Sequence, residues 1–537
     1  MPALQELIRL AREAEERAQL TVEPDDLDRA VTAWESAVIA TGDAMVDPSE
    51  RADVLSHASG AVLHRYQATR ARREDLGVTQ GWLEEAIAIT PEDAPERLMY
   101  LSNAGVICQE RYTAGEGRAM LDRAVDSFES AVRLAAPHDP DLAQYLNKLG
   151  NALVDRWAAG ADGEDLHRAV AAATRAVGLL PRRSPDQVLY LNNLGNALLH
   201  RYEYGGAVED LDAAVRSLGA AARGGRLLRR SGDLDDRAMA LANLGSARRL
   251  RANHSGDPRD LRRAWSALRR AVGHTRPGSP DLPSRQAGLA DVMRERYLSD
   301  GRVGGLDRAI SVYEAVLGQV TTAGYCNNFA TCLLTRYLAQ GNRPDLDGAG
   351  ERPRQAVALA EAGPAESTAM CLASLGGGLR WRYLAGGDEA DIREALAVHR
   401  RAVALSPGVT LARGQRLSNL ANALHDHYGR TGELADLDEA IEVYREAVGT
   451  VPADSAAVVQ IRGNLGTALA DRYQLRHVGE DLDEAIANFQ EAGARGWRAQ
   501  RSVHLDNLAT ALRERYDVGD DRRDLEQALT AHRLALR

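Results

Sequence analysis

The sequence predicts an all-α solenoid of about eleven helix-turn-helix units, each of roughly 45 residues, rather than a string of globular domains. Two observations carry that prediction. A fragment such as LNNLGNALLHRY (Leu191 to Tyr202) followed by DLDAAV (Asp210 to Val215) returns along the whole chain. Its Arg-Tyr mark, or a close variant, falls at Tyr66, Tyr112, Trp157, Tyr202, Tyr297, Tyr337, Tyr383, Tyr428, Tyr473 and Tyr516. Inside each copy the apolar residues recur at helical spacing, and no stretch alternates with the period of a strand. The units of such a stack bury their apolar faces only against their neighbours, which leaves a long surface for something else to bind.

Residues 1–50 begin with MPALQELIRLAREAEERAQL, acidic, amphipathic and helical in pattern, and run into a first partial repeat. That start has neither the basic nor the apolar region of a secretory signal. Residues 51–222 form an N-terminal array. In its clearest copy Leu191, Leu194, Leu198 and Tyr202 lie on one stripe of a first helix, with Gly195 beside it where another helix can approach. A glycine-containing loop leads to Asp210-Leu211-Asp212, where Asp is the expected N-cap of a second helix with Ala214, Val215, Leu218 and Ala222 on its apolar face. Proline at 137, 181, 407 and 452 stops several second helices.

A basic, glycine-rich linker is expected over 223–236. The unit after it is degenerate, keeping Leu244 and Gly245 but carrying Ala252 in place of Tyr. Residues 237–537 form a C-terminal array in which Pro353 is expected to interrupt a second helix and bend the array near 348–364. The last helix, DLEQALTAHRLALR, turns Ala528, Leu529 and Leu536 onward with no polar capping helix after it. A homo-oligomer through this C-terminal helix is therefore expected.

Composition excludes several functions. Net charge is −11 and the pI is near 5.7, which argues against a nucleic-acid surface. The basic stretches at 65–73 and 223–230 read as solvated helix ends or linkers. Lys148 is the only lysine and lies in the helical LNKLGNAL, so neither a GxxxxGK[ST] phosphate loop nor Schiff-base chemistry is expected. Cys108, Cys326, Cys332 and Cys371 form no CxxC pair and stand where sister units carry Leu, Ala or Tyr. His425 and His427, two apart on a helix, point about 200° away from each other. HExxH and GxSxG do not occur, and His399 and His532 hold equivalent places in second helices. No metal, cofactor or catalytic activity is expected. With no apolar run of about 18 residues, the chain reads as a reduced cytoplasmic protein without a membrane span.

The pattern Leu-Gly…Tyr…Ala…Pro resembles the tetratricopeptide repeat, lengthened from its usual roughly 34 residues. More narrowly, NLGxALxxRYxxxGxxxDLDxAI is similar to the long repeats that accompany caspase-like CHAT peptidase domains, and some signalling ATPases, in bacteria. The resemblance runs from about Asp26 to Leu536. It implies a right-handed superhelix whose first helices line a concave surface, and it is specific for fold rather than for function. Two functions follow from it. One is a non-catalytic scaffold or sensor that holds an extended protein segment in its groove. The other is the regulatory subunit of a caspase-like peptidase or signalling ATPase system whose catalytic part is on another chain.

The first helices also carry a polar stripe. Nine residues before the Tyr stand Asn103, Asn193, Asn243, Asn328, Asn419, Asn464 and Asn507. Six before it stand Asn151, Asn196 and Asn422, with Ser246, Thr331, Thr467 and Thr510 in sister units. Two before it stand Glu110, Asp155, Glu295, Asp426, Asp471 and Glu514. At about 100° per residue these rows share one face, off the leucine stripe. In some peptide-binding arrays of the resembling kind, asparagines so placed grip the backbone of an extended segment. A carboxamide donates and accepts, so it can pair with a peptide group whatever the side chain. Bridging neighbouring helices is the other use for an Asn that helix interiors otherwise disfavour. The acids either make the groove negative, favouring a basic partner, or neutralise the arginine that precedes most of the Tyr marks. That arginine's own expected partner is the capping Asp.

Overall fold

In the computed structural model every regular element among the described residues is a helix, and each Arg-Tyr mark lies in the last turns of the first helix of a pair. The structure describes residues 2–42, 46–160, 163–181, 184–224, 233–301, 303–406, 408–453, 455–495 and 498–536. The chain divides into two compact units, Met1–Ala197 and Leu198–Arg537. The first holds α1 (Pro2–Thr21), α2 (Pro24–Ala40), α3 (Pro48–Thr69), α4 (Asp75–Ile89), α5 (Glu96–Thr113), α6 (Ala119–Leu134), α7 (Leu142–Ala158) and α8 (Glu164–Leu179). Helix α9 (Gln187–Gly205) contains the division. The second unit continues with α10 (Val208–Gly224), α11 (Asp233–Ser255), α12 (Pro258–His274), α13 (Leu282–Asp300), α14 (Val303–Leu317), α15 (Ala323–Gln340) and α16 (Arg343–Ala360). It ends with α17 (Ala365–Gly386), α18 (Glu389–Ala404), α19 (Leu411–Thr431), α20 (Leu434–Thr450), α21 (Ala456–Arg476), α22 (Gly479–Arg495), α23 (Arg498–Gly519) and α24 (Arg522–Ala535).

Within each unit, helices pack on their neighbours in sequence, and first helices also touch the first helices of the next pair. Such contacts join α3 to α5 and α5 to α7 in the first unit, and run from α11 through α23 in the second. First helices therefore form a layer of their own within each unit. The turn out of that layer has a fixed chemistry. Gly301, Gly341, Gly387 and Gly432 sit at φ between 71° and 79° as C-caps, each donating its N–H to the carbonyl of the marker Tyr four residues earlier.

The core is built by a knob from the second helix entering a hole on the first. The Phe128 ring fills the space a side chain at Gly105 would need, since a Cβ there would stand 2.6 Å from it. Phe489 does the same at Gly466, and His399 at Gly376. Where the knob is Tyr313 or Tyr444 it is likewise buried, and its hydroxyl runs on to donate to Asp291 or, at 2.6 Å, to Asn422.

Pro353 does not interrupt its helix: α16 continues unbroken from Arg343 to Ala360, with the proline buried inside it. Proline leaves the carbonyl four residues earlier, that of Ala349, without its helical donor. Helix α17 accommodates this turn with Gly378, whose backbone lies so close to the Ala349 carbonyl that any Cβ would overlap it. The Asp-Leu-Asp segment is also placed differently from the expected N-cap. Helices α12, α18 and α24 are capped earlier, by Asp257, Asp388 and Asp521, and Asp260, Asp391 and Asp524 lie inside the first turn. The reason is that those carboxylates are needed by arginines of the first helices. At the far end Leu529 and Leu536 are exposed as expected, whereas Ala528 is buried. Most of the basic linker (225–232) and Pro407 lie outside the described residues.

Candidate functional site

The arginine before most marker residues joins the first helices to the second. Arg156, Arg201, Arg251, Arg336, Arg472 and Arg515 each bind, through Nε and Nη2 together, the first Asp of their own second helix: Asp165, Asp210, Asp260, Asp345, Asp481 and Asp524. The remaining Nη1 reaches the preceding second helix, where Asp212 serves Arg251, Asp307 serves Arg336, Asp438 serves Arg472 and Asp483 serves Arg515. One guanidinium thus ties its own pair together and joins it to the pair before. His427, which replaces Arg in its unit, keeps the arrangement by pairing Nδ1 with Asp436 at 2.6 Å. The Arg515 guanidinium holds the Asp524 carboxyl below the usual carboxylate range.

With the arginines so engaged, the acids of the polar stripe find other partners. Asp155 accepts from Gln109, Glu295 from Arg249, Asp426 from Arg380, and Asp471 lies 2.7 Å from His425 Nε2. Each partner stands three residues before the marker position of the preceding unit. Glu110 accepts from Gln67 and Arg70, and Glu514 is half-buried. Glu295 is almost closed off, while the Asp155 and Asp471 side chains remain open to solvent.

The asparagines nine before the marker reach back in the same way. Asn103 donates to Ser56, Asn193 to Asn147 at 3.0 Å, Asn328 to Asp291 and Asn464 to Asn422 at 2.9 Å. Lys148, in that column, donates to Ser102 at 2.8 Å, and burial lowers its pKa. The stripe is therefore a run of bonds between successive first helices, with spare valence left over. Asn464 uses one amide hydrogen and accepts from Gln460, keeping its second hydrogen. Asn419 is exposed, and Asn196, Asn243 and Asn507 are half-buried.

Around α13–α15 the stripe becomes a buried network. Burial pushes the Asp291 carboxyl up, against the pull of Arg249, while Tyr313 and Asn328 hydrogen-bond it. The four cysteines are buried. Burial drives the Cys332 thiol up to about 12 and Cys371 to about 11, well away from a reactive thiolate. Among the described residues no three metal-binding side chains converge, and no helix is long and apolar enough to cross a membrane.

A sequence model of the tetratricopeptide repeat matches residues 189–218, 414–455 and 503–536, so these segments of the helical array are tetratricopeptide repeats. No curated protein sequence matches the chain. Among solved structures it is similar to a human IFIT1 dimer with PPP-AAAA, at 14% identity over 94% of both chains and a TM-score of 0.46. It is similar also to a signal transduction ATPase with numerous domains bearing a tetratricopeptide repeat sensor, from Pyrococcus horikoshii. There the identity is 12% over 91% of this chain and 72% of that one, with a TM-score of 0.45. Yeast Tom70 matches at 14% identity over 96% and 97% of the two chains, with a TM-score of 0.35.

Proposed function

We propose that the protein is a non-catalytic scaffold or sensor that holds an extended peptide segment along the layer of first helices. The observation that carries this reading is the spaced row of carboxamides with unspent hydrogen-bonding capacity, from Asn419 through Asn464 to Asn507, on a face that stays accessible. An extended chain presents peptide groups at regular intervals, and an amide side chain can serve any of them. The open carboxylates of Asp155 and Asp471 favour a partner with basic side chains.

The test is a library of extended peptides screened against the full chain, with hits measured on the variant Asn419→Ala, Asn464→Ala, Asn507→Ala. Each lost contact should weaken peptide binding by about 0.5–1.5 kcal/mol, while the melting temperature falls little. A large fall in melting temperature with unchanged affinity would mean that the asparagines serve only to join helices, and would remove the proposal.

A further inference from the structure

Residues 223–276 carry fourteen arginines against five aspartates, in a chain whose net charge is −11. This is the degenerate unit, and its core departs from the sister units at one position. Four residues before the marker, the sisters bury Leu153, Leu333, Leu379, Leu424, Leu469 and Leu512; here Arg248 stands instead. Between consecutive second helices the ion pairs Arg354–Glu394, Arg400–Glu439 and Arg445–Glu484 recur. At those same two places α10 and α12 carry Gly219 and Arg263. Arg168, which holds the place of Arg263 in its own unit, pairs with Glu129 at the place of Gly219; opposite Arg263 the glycine offers no carboxylate, and a cavity of about 210 Å³ opens among α10, α11 and α12.

Arg223, Arg248, Arg263 and Arg270 line that cavity together with Ser266 and the apolar Leu244. The Arg248 Nε is buried without a hydrogen-bond partner. Burial, with the charges of Arg263, Arg251 and Arg223 nearby, lowers its pKa from the ordinary arginine value. Asp260, which draws on Arg248 from the other side, is already held by Nε and Nη2 of Arg251. A guanidinium does not shed its proton in a protein, so the half-buried Arg248 keeps its charge and an Nε–H that an anion in the cavity can accept from.

We propose that this cavity binds a phosphate or diphosphate group, free or carried by a nucleotide. Guanidinium forks match phosphate oxygens two at a time. The volume is below the roughly 300–1,000 Å³ of sites that enclose a drug-sized ligand, so it takes a charged head group and leaves any remainder outside. The site is independent of the peptide groove.

The full chain is titrated with pyrophosphate, ADP and sodium chloride at matched ionic strength, by calorimetry and thermal melting. Saturable binding of pyrophosphate or ADP, with a rise in melting temperature that chloride does not give, is expected. The tighter of the two says whether the group is free or nucleotide-borne. Arg248→Leu restores the sister residue and Arg263→Glu introduces the acid that α18, α20 and α22 carry at that place, so both variants should melt no lower than wild type without ligand. Each should bind the anion roughly ten- to a hundred-fold more weakly. Equal responses to chloride and pyrophosphate, or undiminished binding in both variants, overturns the proposal. An RNA hexamer without terminal phosphate that binds as tightly as pyrophosphate also overturns it, by making the patch an open basic surface.

Discussion

Removing Arg472 should be far more damaging than removing one of its two carboxylate partners. The Arg472 side chain is 14% exposed and binds Asp481, itself 8% exposed, at 2.9 and 2.6 Å; Asp438, on the preceding second helix, is 39% exposed at 2.9 Å. Arg472→Met leaves the Asp481 carboxylate buried and unpaired, which costs about 3–5 kcal/mol. Asp438→Asn removes a partly solvated partner and should cost about 0.2–1 kcal/mol. The double variant Arg472→Met, Asp481→Leu takes away both buried charges and should recover much of the first loss, because a well-packed apolar pair is often no worse than a buried ion pair. Urea unfolding followed by circular dichroism gives the magnitudes. Hydrogen exchange should place the loosening in α20–α22, since a solenoid couples mainly to its nearest neighbours. Equal losses for Arg472→Met and Asp438→Asn, or a double variant weaker than Arg472→Met alone, would refute the reasoning.

Two further outcomes follow from the packing. Gly466→Ala puts a Cβ 2.7 Å from the Phe489 ring and should destabilise by about 1–3 kcal/mol, whereas Gly377→Ala meets nothing and should be neutral or stabilise by up to about 1 kcal/mol; thermal melting of the pair checks this. His399 is fully buried, and its burial, together with the Arg380 charge, pulls its pKa from 6.5 down to about 4. Between those values the unfolded chain binds a proton that the folded one refuses, so its contribution is whole above pH 6.5 and is lost as pH falls towards 4, by up to about 3 kcal/mol. His399→Phe, which copies the Phe489 arrangement, should flatten the stability profile over that window. An unchanged acid slope in the variant would assign it to other groups.

Much of the array was legible because repetition inside one chain shows which positions packing holds constant. The Leu191–Leu194–Leu198 stripe, the marker Tyr and the Arg–Asp partnership all follow from that recurrence. The caps of α12, α18 and α24 lie three residues before the aspartates that the repeat pattern offers. The capping Asp257, Asp388 and Asp521 sit in loops without apolar periodicity, and Asp210-Leu211-Asp212 looks like a cap when only its own helix is considered. Which atoms the asparagines bind was not legible, because Asn193 meeting Asn147 depends on the register between neighbouring first helices, and no periodicity within one helix encodes that. Pro353 misled for a similar reason: the Gly378 that shelters its freed carbonyl belongs to another helix. Arg248 is legible in the sequence as the one charged residue in a column that otherwise holds leucines, Val62, Cys108 and Met293.

That contrast separates structural departures from functional ones. A regular unit pairs its arginines internally, with Arg472 on Asp481 and Asp438 and with Arg445 on Glu484. Some departures come with their own compensation. Tyr313 reaches past Ala290 to donate to Asp291, and Pro353 is matched by Gly378. Nothing outside the fold is needed to stabilise either. Arg248 stands where sister units bury a leucine, and its Nε finds no acceptor while the nearby Asp260 is already committed to Arg251. Arg223 and Arg263 reach solvent and Arg248 and Arg270 are half-buried, so an anion entering the cavity would meet the Nε of Arg248 that the fold leaves without an acceptor.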